Sequence, residues 1–170
     1  MPVINPDEIG QLLTLKNGLA TLVQAGRIAV SQREAHLAAG DSFGIETTFT
    51  GHSELDLMRR ARSAGYRVSL VFVGLDDVQL SASRVKARVR RGGHHVPLAD
   101  VFRRFDRSME NLAIGLTLSD RSYVIDNSRT RRRLVLSREN GRVRHLAKAI
   151  PAWAIDAIPS EMRKPKLSQC

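Results

Sequence analysis

The stretch Tyr66-Arg67-Val68-Ser69-Leu70-Val71-Phe72-Val73-Gly74-Leu75 decides the fold class. It is a near-continuous apolar run rich in β-branched residues, bounded by Gly65 before it and Asp76-Asp77 after it. Such a run suits a strand covered on both faces, which implies a parallel sheet between helix layers. Upstream, Leu55, Leu57, Met58 and Ala61 recur at helical spacing and stop at Gly65. Between Lys16 and Ala39, Leu19, Leu22, Val23, Ala29, Val30 and Leu37 predict a second helix that ends at Gly40. Ser42 to Glu46 is a compact strand, Val3-Ile4 the tail of another, and Pro6-Asp7-Glu8 opens a short helix with its acids in the first turn.

Downstream, Asp76-Asp77 begins a helix that runs to about Arg91 and stops at Gly92-Gly93, and Pro97 opens the next through Val101, Phe102, Phe105 and Leu112. Ser122 to Asp126 and Leu134 to Leu136 read as strands, and Asn140-Gly141 is a hairpin signal. Pro151 starts a short helix around Trp153 and Ile155, followed by a polar tail from Ser160. Strands alternating with helices predict an α/β fold with a mainly parallel sheet, in one domain over residues 1–159 and a disordered tail over 160–170.

The 170 residues are 42% hydrophobic, enough for a real core. No apolar run approaches the ~20 residues of a membrane span. Met1-Pro2-Val3-Ile4-Asn5 lacks the layout of a signal peptide, so a cytoplasmic protein without membrane partners is expected. The single Cys170 excludes a disulfide framework and a Cys-based zinc cluster. Net charge is +10, and it is unevenly spread. Residues 1–83 carry 7 Lys/Arg against 9 Asp/Glu, residues 84–107 carry 8 against 2, and residues 129–148 carry 8 against 1. Two basic blocks following an acidic half point to an anionic partner, either compact phosphates or a polymer. Aromatics are only 5% and none lies within 129–148, so compact phosphates are as good a target as a nucleic-acid polymer.

In open α/β sheets, reactive groups gather where strands end. Asp7, the segment Glu46-Thr47-Thr48 and the segment Asp126-Asn127-Ser128 each follow a strand. Each also has a plain reading: Asp7 as a helix N-terminal acid, Thr47-Thr48 as a cap for the helix near His52, Asp-Asn-Ser as a turn. Arg84 and Arg88 share a helical face, Gly92-Gly93-His94-His95 follows, and Arg103-Arg104 sit on the next helix. Helix, joint and arginine-bearing helix is the layout of a lid that neutralises a transferring phosphoryl group, and a solvated basic face is its plain alternative. Adjacent histidines rarely share one ion, and no metal site is expected.

With these residues in hand, the chain resembles the zeta-toxin family of P-loop kinases, in the branch called zeta-toxin-like or predicted ATPases. The resemblance spans about Val3 to Ser128. It rests on Ile4-Asn5-Pro6-Asp7-Glu8-Ile9, Phe43-Gly44-Ile45-Glu46-Thr47-Thr48-Phe49-Thr50-Gly51, Gly65-Tyr66, Arg84-Val85 through Gly92-Gly93-His94-His95-Val96-Pro97, Arg103-Arg104-Phe105 and Asp126-Asn127-Ser128. It implies a three-layer P-loop NTPase-like sheet and phosphoryl transfer from ATP or GTP, with Mg2+, to a hydroxyl. In the toxin members the acceptor is a UDP-activated amino sugar, and an antitoxin protein is an implied partner. Asp7 matches the aspartate that takes the acceptor proton. Glu46 and Thr48 match the acceptor-holding segment, with His94 a further substrate contact. Arg84, Arg103 and Arg104 fall where the family presents arginines to phosphates, and Asn127 and Ser128 where a nucleotide is contacted.

One departure is plain. A P-loop kinase uses Gly-x-x-x-x-Gly-Lys-Ser/Thr to cradle phosphates. Here Lys16, Lys86, Lys148, Lys164 and Lys166 are neither preceded by glycine nor followed by Ser or Thr. The first strand and phosphate loop of the family are thus expected to be missing, which predicts a truncated domain that is inactive as an isolated chain. A non-catalytic basic module binding nucleic acid or nucleotides is the alternative.

Overall fold

The computed structural model describes residues 1–17, 22–76, 79, 83, 85, 87, 90 and 98–163. The chain forms two compact units, Met1–Thr48 and Phe49–Cys170.

In the first unit, β1 (Val3–Ile4) is followed by α1 (Pro6–Asn17), α2 (Leu22–Ala39) and β2 (Gly44–Ile45). β1 and β2 pair in parallel, Val3 opposite Gly44 and Ile4 opposite Ile45. Parallel neighbours require a long crossover, which the two helices supply. α1 packs on α2, and Gly10 faces Ala25 at a spacing where an added Cβ would lie 3.6 Å from the alanine methyl. Ala25, Ala29 and Ile4 form the buried contacts of this small unit. Gly40 stops α2 with φ +75°, the Asp41 N–H donating to the His36 carbonyl and the Gly40 N–H to that of Leu37. That is the double bond pattern of a left-handed glycine cap.

In the second unit, α3 (His52–Ser63) leads to β3 (Ser69–Gly74), then α4 (Leu98–Leu118), β4 (Arg121–Asp126), β5 (Arg133–Glu139), β6 (Arg142–Leu146) and α5 (Ala152–Ala157). Gly65, with φ +83°, ends α3 by the same cap: Tyr66 N–H to Ala61 and Gly65 N–H to Arg62. The sheet order is β3-β4-β5-β6. β3 and β4 are parallel, whereas β4-β5 and β5-β6 are antiparallel. The α/β class is therefore present, but the larger sheet is mixed, because β5 runs back against β4 and Asn140-Gly141 then folds β6 back against β5. Both turn residues have positive φ, 48° and 76°, as that turn demands.

Leu55 of α3, Leu112 and Leu116 of α4, Phe72 of β3, Val124 of β4 and Trp153 of α5 meet in one core beneath this sheet. Gly74 is required there, since a Cβ would lie 2.3 Å from the Trp153 ring. Gly115 similarly admits the Phe49 ring. The polar stretch from Ser160 begins with a short 3-10 turn whose Met162 joins the same core, so packing extends past residue 159.

The other face of the sheet departs from the expectation for residues 66–75. Val71 is 60% and Val73 51% exposed, alternating with buried Phe72 and Gly74. Tyr123 opposite Val71 is 38% exposed, and Leu134, opposite Ile125, is 37%. Among the described residues, β3 has a strand partner on one edge only. The strand expected at 42–46 is present as β2 and pairs with β1.

Candidate functional site

In the first unit the polar residues gather where β1 and β2 end. Asn5 precedes Pro6, the first residue of α1, and its Oδ1 accepts the Asp7 N–H at 2.9 Å. Asparagine as cap and proline in the first helical position is a favoured helix start. The other end of the same amide reaches across the strands: Asn5 Nδ2 donates to Glu46 Oε2 at 2.9 Å. The Glu46 N–H donates to the Ile4 carbonyl, which fixes its backbone against β1. One asparagine thus ties the residue after β2 to the first turn of α1.

Asp7 is exposed, and no hydrogen bond or ion pair among the described residues engages its carboxylate. Thr48 is exposed at the end of this unit. The N-cap position of α3 is Gly51. The chain turns next through Phe49, a buried residue at φ 56°, where a side chain is strained. Within the second unit, Asn111 Nδ2 of α4 clamps this turn by donating to the Phe49 and Gly51 carbonyls at 2.9 and 3.2 Å.

In the second unit Asp126 ends β4 and is buried. Its Oδ1 accepts the Ser128 hydroxyl at 2.5 Å, the Ser128 N–H at 3.1 Å and Trp153 Nε1 at 3.4 Å, and its Oδ2 accepts Arg133 Nη2 at 3.3 Å. Burial on its own would raise this carboxyl, but the bonds from Ser128, Trp153 and Arg133 outweigh it and hold the group below its ordinary value. The Ser128 hydroxyl also accepts the Asp76 N–H at 2.7 Å, and the Asn127 N–H donates to the Gly74 carbonyl. Ser128 thus bridges the ends of β3 and β4. Asn127, half-buried beside it, keeps its side chain outside that network.

Arg103 and Arg104 lie on α4, and Arg103 Nη2 pairs with Asp100 Oδ1 of its own helix at 2.6 Å, while Arg104 is exposed. Arg84 and His94, with the Gly92-Gly93 joint, lie outside the described residues. No group of three His, Cys, Asp or Glu able to hold a metal occurs among the described residues. No helix among them is long and apolar enough to cross a membrane.

The sequence analysis gives no site role to Asn5, Asn111, Arg133 or Trp153. The Asn-Pro-Asp order was the available signal for Asn5, since a cap, an N1 proline and an N2 acid follow in register. Nothing local marks the other three, whose partners are distant in sequence.

A Haemophilus influenzae protein described only as uncharacterized is 31% identical over 94 residues, which are 55% of this chain and 67% of that protein. No family model and no solved structure matches the chain.

Proposed function

The chain belongs to the family of that uncharacterized Haemophilus influenzae protein, and we propose that its scaffold is that of a zeta-toxin-like phosphotransferase acting on a hydroxyl of a nucleotide sugar. The observation that carries this reading is the joining of Asp7 and Glu46 through Asn5 at the ends of two parallel strands. An exposed carboxylate without a partner is a suitable acceptor for a hydroxyl proton. Glu46, oriented by one amide, has its second carboxylate oxygen left for an acceptor hydroxyl, and exposed Thr48 adds a hydroxyl two residues on. In this reading Arg84, Arg103 and Arg104 neutralise phosphate charge, His94 touches the acceptor and Asn127 the nucleotide. The three-layer, mainly parallel sheet of the P-loop NTPases belongs to the same proposal.

ATP or GTP with Mg2+ would supply the phosphoryl group. The residues present do not fit that group by themselves. Within the 170 residues there is no Gly-x-x-x-x-Gly-Lys-Ser/Thr segment, and no metal-holding cluster occurs among the described ones. The function assigned to this chain is accordingly acceptor binding, with Asp7 placed to take the hydroxyl proton only as that oxygen attacks a phosphoryl group, for which the 170 residues alone supply no phosphate cradle. Titration with UDP-N-acetylglucosamine, followed by ligand-observed NMR, tests it. Binding that is lost in Glu46→Gln and retained in Asp7→Asn supports the reading. No binding, or binding indifferent to Glu46→Gln, overturns it.

A further inference from the structure

We propose that Asn111 is a positioning residue: it holds the turn at Phe49 in a strained backbone conformation, and that turn fixes the segment Glu46-Thr47-Thr48 that precedes it. Phe49 is buried, with φ 56°. In this left-handed region the Cβ crowds the following carbonyl oxygen, so a phenylalanine there is disfavoured by about five- to thirtyfold. Such strain persists only where the surrounding contacts over-determine it.

Those contacts come from one face of α4, where Asn111 and Gly115 lie a helical turn apart. Asn111 is 6% exposed, and its Nδ2 donates to the carbonyls of Phe49 at 2.9 Å and Gly51 at 3.2 Å. Gly115 makes room for the ring, since a Cβ there would lie 2.7 Å from Phe49 Cζ. The ring also meets Phe72 edge-on, with centroids 6.4 Å apart. Each hydrogen bond favours the clamped form by about three- to tenfold, so the pair is of the same size as the strain it offsets. Ring packing thus anchors the residue, and the Asn111 amide decides the state of its backbone. Thr48 is joined to Phe49 by one peptide bond, so a change of φ at Phe49 is felt first at Thr48, two residues from Glu46. The consequence for ligand affinity rests on reading Glu46 and Thr48 as the acceptor-holding segment; the strained turn does not.

The test is NMR on the full chain. The amide and α protons of one residue lie closest at positive φ, so Phe49 should show an intraresidue Overhauser effect about threefold stronger than its neighbours. Asn111→Leu removes both donors. Gly115→Ala presses on the ring, leaves the amide in place and favours the helix. In each variant the Phe49 effect should weaken by about twofold or more, with microsecond-to-millisecond exchange appearing at residues 47–51. Val124 and Leu136, elsewhere in the core, should keep their parent signals; a general loss of packing would broaden them too. UDP-N-acetylglucosamine should bind Asn111→Leu about three- to tenfold more weakly, in proportion to the fraction of turn still clamped. A Phe49 effect no stronger than its neighbours in the parent, or variants that match the parent at residues 47–51, overturns the proposal. So does unchanged affinity in an Asn111→Leu chain whose turn has been released. If the parent itself does not bind UDP-N-acetylglucosamine, the reading of Glu46 fails, and the signals of residues 47–51 decide for or against the turn and its segment by themselves.

Discussion

Glu46 and Asp126 occupy equivalent places, each at the carboxyl end of a strand with a parallel neighbour, yet they are held in opposite ways. Asp126 is buried and accepts from Ser128 twice, from Trp153 and from Arg133. Glu46 is exposed and accepts a single bond from Asn5. A carboxylate whose acceptor sites are filled by its own fold is part of the framework; one with an oxygen left over is available to a ligand. Strand-end position nominates a residue, but the count of donors around it decides its role.

The largest expected effect breaks the framework side of this comparison. Trp153→Ala removes a buried ring from against Phe72 and Gly74 and one donor from Asp126, and should cost about 3–5 kcal/mol in denaturant unfolding. A loss below about 1 kcal/mol would mean that the ring merely covers the strand ends.

Asp126→Ala comes next, at about 1–3 kcal/mol, because it leaves the Trp153 and Arg133 donors without their acceptor. The same residue sets a pH dependence. Its carboxyl titrates lower in the folded chain than in the unfolded one, where the ordinary value is about 3.9. Its stabilisation is therefore complete above that value and is lost as pH falls through the lower folded value. Urea midpoints measured from neutral pH down through that window should fall more steeply in the parent chain than in Asp126→Asn. Parallel curves would remove Asp126 as the cause.

How much of this was legible in the residues differs between the two units. The glycine stops at Gly40 and Gly65 and the Asn140-Gly141 hairpin are local, set by backbone conformations that glycine and asparagine favour, and they are present where the sequence places them. The run at 66–75 was misleading about coverage. An apolar strand looks alike whether one face or both are packed, so Val71 and Val73 gave no sign that their side of the sheet is open. The mixed sheet has the same origin, because strand direction depends on which neighbours meet and not on composition. The donors around Asp126 come from 2, 7 and 27 residues away, and only the first of these separations is visible as a turn signal. Asn5, by contrast, was readable as a cap, but its second bond crosses 41 residues and was not.

On the ligand side of the comparison, Asn5→Ala should cost about 1 kcal/mol, the usual loss for a helix cap. Trp153, the sole tryptophan, lies in the second unit. Hydrogen exchange of α1 amides is the suitable readout, with faster exchange in its first turn expected. Unchanged exchange would mean that the 2.9 Å bond to the Asp7 N–H contributes nothing to α1.

The smallest effect is the most discriminating. Glu46→Gln keeps a carbonyl oxygen for the Asn5 amide and removes only the charge and the spare carboxylate oxygen. An exposed residue with one bond that its substitute can still accept should change stability by less than about 0.5 kcal/mol. Exchange of the Gly44 and Glu46 amides, which donate to the Pro2 and Ile4 carbonyls, reports the β1-β2 pairing directly. Rates matching the parent, together with loss of UDP-amino-sugar binding, would separate a ligand-holding carboxylate from a structural one. Acceleration equivalent to more than about 1 kcal/mol would place Glu46 with Asp126 as framework, and the contrast between the two strand ends would then dissolve.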